Sequence, residues 1–401
     1  MNTNKSKAHN ILEIINLASS ARNFIGGQFM YLRQNGYDMH LICSPDDMIQ
    51  DYATQNQIKY HPVQLVRTLS PWSDIKAFVA ICKYIRRNNI DTVIAHQAKA
   101  RLLGTMAAFL MRVPNRIIFA HGVLFETLNG GKRIFVILMD KIVAMMAHKT
   151  VCVSKSVANI RQKYRIESSA QEYFLGAGTC GGIDTVNRFN PDRLIDSEQD
   201  VLKKKLGIKD GDFVIGFCGR LVRDKGVAEL VDAFKLLKQK YSDGNNLKLF
   251  IIGSSELRDS ISVGLRKYID TCNDVIHVER VEYTEIHKYF ALFSIMVLPS
   301  YREGFGMVTI ECGAMEVPAI VSKSTGCIDS IIEDKTGVYC EITPESIADK
   351  IELMLKNGEI RTSMGRYSRS WICENFDSSV VWPHIINVIE AQYFGKFLPK
   401  N

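Results

Sequence analysis

Short apolar, β-branched runs alternate with longer amphipathic stretches along the whole chain. In the first half the strand-like runs are Ile11–Leu17, Met39–Cys43, Thr92–Ala95, Arg116–Phe119 and Thr150–Val153. In the second half they are Phe213–Cys218, Lys248–Ile252, Val275–Val278, Ile295–Leu298 and Ala319–Val321. Between them, helical spacing of apolar positions predicts helices such as Ile75–Arg87, Val227–Tyr241 and Ile347–Asn357. Strand–helix alternation predicts an α/β fold of doubly wound parallel sheets with helices on both faces. Runs such as Phe-Val-Ile-Gly-Phe-Cys are apolar on both faces, as buried parallel strands require.

The predicted strands also end alike. Ser19, Ser44, His96, His121, Ser154, Gly219, Gly253, Ser300 and Ser322 each stand just past one. Small or polar residues there let a substrate approach, and open α/β sheets bind ligands beyond the carboxyl ends of their strands. The polar, Pro-containing stretch Asn187–Asp212 reads as a linker. The expected organisation is therefore a first domain over residues 1–190 and a second domain over 191–376, with a C-terminal helix (about 377–401) packing back on the first. Two such domains with facing strand ends would enclose a cleft.

Composition narrows the class. The chain has 401 residues, 46% hydrophobic and 23% charged, which is ordinary globular usage and excludes collagenous, disordered and small disulfide-stapled proteins. The longest stretch free of Asp, Glu, Lys and Arg is the thirteen residues Tyr289–Tyr301, interrupted by Pro299. A membrane-spanning helix needs about 20 apolar residues, so none is expected. Met1–Asn10 is polar and lacks the apolar core of a signal peptide. The ten cysteines are never closer than thirteen positions, so no CxxC pair supports a metal cluster or redox motif, and a reducing, cytoplasmic setting is expected. The net charge of +7 is unevenly spread: residues 1–190 carry 23 Lys/Arg against 12 Asp/Glu, the remainder 27 against 31. A basic first half favours an anionic membrane surface or another polyanion.

Two constellations carry chemistry. Gly219-Arg220-Leu221-Val222-Arg223-Asp224-Lys225-Gly226 follows directly on Phe213–Cys218. An Arg and a Lys converging at a strand end, beside the start of a helix, can clamp a diphosphate. The second is Pro299-Ser300-Tyr301-Arg302-Glu303-Gly304-Phe305-Gly306-Met307-Val308-Thr309-Ile310-Glu311. Its glycines let a ligand approach the backbone, and the helix expected from Gly306 presents free N–H groups to it. Glu311, inside that helix, can accept both hydroxyls of a ribose.

Together these motifs resemble the retaining glycosyltransferases of family 4, which have the two-domain GT-B fold. Phe24-Ile25-Gly26-Gly27 is similar to that family's early glycine-rich loop, Ala120-His121-Gly122 to its His-Gly strand end, and Gly182-Ile183-Asp184 with Arg188-Phe189 to its turn before the linker. The resemblance implies transfer of a sugar from a nucleoside-diphosphate donor, with retained anomeric configuration and with neither metal nor cofactor. By the same resemblance Arg220 and Lys225 hold the diphosphate, Glu311 the ribose, and Glu303 faces the donor sugar. His121 contacts that sugar from the other domain, and Gly26, Gly27, Gly304, Phe305 and Gly306 complete the donor site. Two positions depart from the pattern: Glu316 stands where the family commonly has glycine, and Asp329 near a usual Glu.

The sequence also carries weaker signals. His96 resembles His121 in position, although Gln97-Ala98-Lys99 reads as an ordinary helix start. Asp210-Gly211-Asp212 mimics a metal-binding Asp-x-Asp but precedes its strand and reads as a turn. The segment Gly130–Lys149 is apolar over most of its helix, with Lys132, Arg133, Lys141 and Lys149 along it. It is either a core helix or an apolar face with basic residues that reach anionic headgroups. The resulting expectation is a cytoplasmic hexosyl- or N-acetylhexosaminyltransferase, peripheral to the inner membrane face. It would move sugar from a nucleotide donor, UDP-linked by preference, to a lipid-linked or oligosaccharide acceptor in surface polysaccharide synthesis, with nucleic acid not a partner. A GT-B sugar-nucleotide epimerase and a non-catalytic GT-B partner subunit are the alternatives.

Overall fold

The computed structural model describes residues 9–66, 68, 70–241, 246–256 and 260–391. The chain divides into two compact units, Met1–Gly182 with Ser379–Asn401, and Ile183–Ser378. The first is built on β1 (Asn10–Leu17), β2 (Asp38–Ser44), β3 (Lys59–Pro62), β4 (Thr92–Ala95), β5 (Asn115–Ala120), β6 (Lys149–Cys152) and β7 (Glu172–Tyr173). These pair in parallel in the order β3-β2-β1-β4-β5-β6-β7. The second holds β8 (Phe213–Cys218), β9 (Leu247–Ile252), β10 (Val275–Val278), β11 (Ile295–Leu298), β12 (Ala319–Ser322) and β13 (Gly337–Cys340). Its parallel order is β10-β9-β8-β11-β12-β13. Each sheet starts in its middle, grows to one edge, then crosses to the other side of its first strand. The carboxyl ends of β1 and β4, and of β8 and β11, therefore flank a topological switch point, where such sheets bind ligands.

All ten expected strands are present, each within one residue of its expected ends. The three additional ones, β3, β7 and β13, are all edge strands. An edge strand need not be apolar on both faces: Lys59-Tyr60-His61-Pro62 is exposed or half-buried throughout, so it left no apolar run to read.

The 187–212 stretch is not a bare linker. It contains a 3-10 turn, Pro191–Arg193, and a helix, Asp196–Leu206, and it belongs to the second unit. That helix is polar, with Asp196 and Glu198 in its first turn and Lys203, Lys204 and Lys205 in its last, which suits the helix dipole without an apolar stripe. The units part at Gly182/Ile183, earlier than the expected 190/191. There Ile183 N–H donates to the Phe376 carbonyl (2.9 Å) and Thr185 Oγ1 to Asp377 (2.6 Å), so the chain's two passages lie side by side. The C-terminal helix Ser378–Glu390 then packs on the first unit. Tyr37 Oη donates to Glu390 (2.6 Å), Lys149 Nζ to the Val388 carbonyl (2.6 Å) and Trp382 Nε1 to the Gly181 carbonyl (2.7 Å). Residues 392–401 of the expected C-terminal element lie outside the described residues.

Candidate active site

The turn after β8 stays laddered to β9, with Gly219 N–H on the Ile252 carbonyl and Leu221 N–H on the Ser254 carbonyl, both at 2.9 Å. It closes at Gly226, whose φ is +67° and where a Cβ would stand 2.1 Å from the Pro299 carbonyl oxygen. Only glycine lets this turn lie against the end of β11, and that close approach brings the two motifs together. Lys225 Nζ donates to Glu303 Oε1, which also accepts from Ser300 Oγ at 2.9 Å. Arg302 pairs with Asp224 (3.0 Å), and Tyr301 Oη donates to Glu229 (2.8 Å), bracing the loop against the turn. Glu303 N–H donates to the Thr325 carbonyl (2.8 Å), and Gly326 packs on the Glu303 backbone.

Arg220 is half exposed and donates to Glu256 at 2.9 Å, not to the carboxylate that holds Lys225. The two cations thus sit at one strand end on different acid partners. Each can exchange a carboxylate for a phosphate oxygen without leaving its charge buried alone.

The helix Met307–Ala314 starts at Gly306, φ +84°. Glu311 lies within it, 5% exposed, and accepts from Tyr283 Oη at 2.9 Å. Arg188 stacks over the Tyr283 ring (4.8 Å), and the buried Phe189 meets the same ring edge-on. Burial pushes the Glu311 carboxyl up to about 7, opposed by the Tyr283 hydrogen bond and the Arg188 charge. Tyr283 was not legible as a site residue, because it sits in a polar loop with no motif. Arg188 did carry a signal in Arg188-Phe189. Gly304 is half-buried in the loop, whereas the Phe305 ring is buried against Phe376 (5.2 Å), so this side chain anchors the loop.

In the first unit, Gly26 and Gly27 open a helix, Gly26–Gln34, and not a loop. A Cβ on Gly26 would stand 2.6 Å from Tyr52 Oη, and one on Gly27 2.6 Å from the Trp382 ring. Both glycines therefore pack closely against aromatic side chains. His121 follows β5 and is partly buried; its Nε2 lies 2.9 Å from Nδ1 of the buried His96. Asp210-Gly211-Asp212 is a turn, closed by Asp212 N–H on the Lys209 carbonyl (3.1 Å). Glu316 adopts φ +62°, which explains why a glycine suits that place.

The helix Gly130–Met146 is not a core helix. Only Asp140, Val143 and Ala144 are buried, while Ile134, Phe135, Leu138, Ile142 and Met145 form an exposed stripe, Met145 at 73%. Asp140 faces inward to Arg101 (2.7 Å) and Arg161 (3.4 Å). The adjacent helix Ala98–Leu110 exposes Met106, Phe109 and Leu110. Lys132 is exposed and Lys141 borders the stripe, but Arg133 is engaged with Tyr164. Lys149, expected among the headgroup-facing basic residues, is instead buried on the carbonyls that end the C-terminal helix, and burial lowers its pKa to about 8, so it reaches no headgroup. Among the described residues no helix is long and apolar enough to cross a membrane.

Two Rossmann-like parallel-sheet units, with a charged constellation at the switch point of the second, define the GT-B class of fold. Residues 198–371 match the family model "Glycosyl transferases group 1", and residues 13–155 match "Glycosyl transferase 4-like". The chain is 30% identical over 360 residues to the capsular polysaccharide biosynthesis glycosyltransferase CapM of Staphylococcus aureus, covering 90% of this chain and 91% of that one. It is 24% identical to the Escherichia coli UDP-Gal:alpha-D-GlcNAc-diphosphoundecaprenol alpha-1,3-galactosyltransferase, over 79% of each chain. The fold matches Anabaena HepE in complex with UDP-glucose at a TM-score of 0.77 and 14% identity, over 96% of this chain and all of that one. The chain belongs to the group 1 glycosyltransferases.

Proposed function

We propose that this chain is a retaining hexosyl- or N-acetylhexosaminyltransferase. It takes the sugar from a UDP-linked donor and delivers it to a lipid-linked or oligosaccharide acceptor in surface polysaccharide synthesis. The observation that carries the reading is the meeting of Lys225, Ser300 and Glu303 beside Arg220 at the carboxyl end of β8, with the buried Glu311 on the following helix. In this reading Lys225 and Arg220 neutralise the charge that grows on the diphosphate as the glycosidic bond breaks, an electrostatic role that needs no metal. Glu311 accepts the ribose hydroxyls, Glu303 faces the sugar, and His121 in the first unit is the sugar-side histidine. The acceptor hydroxyl enters on the face the diphosphate leaves, and the leaving phosphate takes its proton.

The acceptor class is supported by the exposed apolar stripe of the Gly130–Met146 helix and the basic balance of residues 1–190. An apolar face bordered by lysine suits the surface of an anionic membrane, where each basic residue contributes about 1 kcal/mol. The S. aureus and E. coli relatives, by name a capsular polysaccharide enzyme and a transferase to a diphosphoundecaprenol-linked sugar, support the same class. The test has two readouts. Thermal shift with a panel of nucleotide sugars should show stabilisation by UDP-linked ones, since a ligand that binds only the folded chain raises its stability. Flotation should show binding to vesicles with anionic lipid at low salt. Absence of stabilisation by every nucleotide sugar overturns the donor assignment, and absence of flotation overturns the membrane one.

A further inference from the structure

The Asp184 and Arg188-Phe189 motif forms a turn at the start of the second unit. Asp184 Oδ1 accepts the Val186 and Asn187 N–H groups (3.2 and 2.8 Å), and Phe189 N–H donates back to the Asp184 carbonyl (2.8 Å). A turn closed by its own aspartate fixes the direction of the residues that follow it. Phe189 is fully buried, stacked on Phe290 (6.5 Å) and edge-on to Tyr283 (6.1 Å). Arg369 ties this segment to the helix that carries Glu311. Its Nη1 donates to the Phe189 carbonyl (3.0 Å) and to the Ala314 carbonyl (2.6 Å), and its Nη2 to Asn190 (2.8 Å).

Arg188 is thereby set, half-buried, over the Tyr283 ring, its guanidinium carbon 4.8 Å from the centroid. Among the described residues no carboxylate or carbonyl takes its N–H groups, and the ring is its contact. Tyr283 Oη in turn donates to Glu311 Oε1 (2.9 Å), while Oε2 makes no hydrogen bond among the described residues. One turn, one ring and one carboxylate thus form a chain that ends on an open oxygen.

We infer that Tyr283, held by Arg188, is a positioning residue that aims the Glu311 carboxylate at the ribose and so sets the preference for a ribonucleoside diphosphate. The inference rests on the reading that Glu311 takes the ribose hydroxyls, and it deepens that reading. An ionised carboxylate offers about four lone-pair sites. The Tyr283 O–H occupies one of them, which fixes the carboxylate plane and leaves the others for two hydroxyls. A cation over the ring draws electron density from the phenol and strengthens its O–H as a donor. The helix alone would leave the carboxylate free to turn, and a turning acceptor meets two hydroxyls at once less often.

The experiment is calorimetric titration of the full-length chain with UDP and with 2′,3′-dideoxy-UDP. It compares wild type, Tyr283→Phe, Arg188→Met and Glu311→Gln, each checked for folding by its thermal melt. The wild type should bind UDP at least about 10-fold tighter than the dideoxy form, as hydrogen bonds to a charged acceptor allow. Tyr283→Phe keeps the ring under Arg188 and loses only the O–H. It should weaken UDP binding about 10-fold and leave the dideoxy nucleotide unaffected. Arg188→Met keeps the apolar stem and should weaken UDP a few-fold; it is the second variant should Tyr283→Phe not fold. A tyrosine with only a structural role would affect both nucleotides alike. Equal loss for both, no loss, or tighter UDP binding by Tyr283→Phe (a phenol that blocks the carboxylate) overturns the inference, and Arg188→Met without effect overturns the part given to Arg188. Glu311→Gln separates the two readings. Discrimination retained in that variant, or no UDP binding by the wild type, refutes the ribose reading itself. Discrimination lost in Glu311→Gln but intact in Tyr283→Phe refutes the positioning role alone.

Discussion

Lys225 and Arg220 carry the most weight at the scale of single residues. One well-aimed donor to a developing oxyanion contributes about 2.7–4 kcal/mol. Alanine at either position should therefore lower kcat at least about 100-fold while the melting temperature holds; steady-state kinetics with thermal melts decide it, and activity within a few-fold of wild type in both would refute the clamp. Glu311 gives a pH-dependent prediction. Its folded-state pKa of about 7 lies above the unfolded value of 4.5, so the folded chain binds this proton more tightly. The stability it contributes is complete below about 4.5 and is lost as pH rises through about 7. Glu311→Gln should flatten that part of the stability–pH profile. In the proposed function the Glu311 carboxylate accepts both ribose hydroxyls, and it does so best when ionised, so donor affinity of the wild type should tighten as pH rises through this range, and that of the variant should not. Calorimetric titration at pH 6 and 8 measures both.

At the scale of elements, much of the fold was legible because interior parallel strands must be apolar on both faces. Phe213–Cys218 and Ile295–Leu298 could hardly be read otherwise, and their carboxyl ends located the two motifs. The edge strand Lys59–Pro62 and the polar helix Asp196–Leu206 were not legible, because neither buries enough apolar surface to leave a periodic trace. The helix Gly130–Met146 was ambiguous for a different reason: an apolar run does not say which neighbour covers it. With the stripe exposed, Phe135→Ser with Leu138→Ser should barely change the melting temperature and should weaken flotation with anionic vesicles, whereas a core helix would lose several kcal/mol from such changes. The turns offer a paired test. Glu316, in a left-handed conformation, should be replaceable by glycine with a gain of about 1 kcal/mol. Gly226→Ala, with a Cβ 2.1 Å from the Pro299 carbonyl, should cost at least about 1–3 kcal/mol and uncouple Lys225 from Glu303. Denaturant unfolding of both variants checks the pair.

Across the whole molecule, sequence motifs located the charged residues but not their partners. Which acid Lys225 would meet depends on Gly226 packing against a strand end more than seventy positions away, and Tyr283 reaches Glu311 from a loop with no pattern of its own. Fold likeness alone would also accommodate a sugar-nucleotide epimerase; the family match and the intact cationic turn distinguish a transferase. In the proposed function the charged turn after β8 activates a nucleoside-diphosphate sugar for transfer. The most direct measurement supplies the purified chain with radiolabelled UDP-sugars and a polyprenyl-diphosphate-linked sugar in anionic vesicles, and follows label into the lipid fraction for wild type and Lys225→Ala. Acceptor-dependent labelling by the wild type, retained anomeric configuration in the product, and loss of labelling in the variant are expected. Equal labelling by both proteins, or conversion of the donor to a free epimer without any acceptor, would contradict the account.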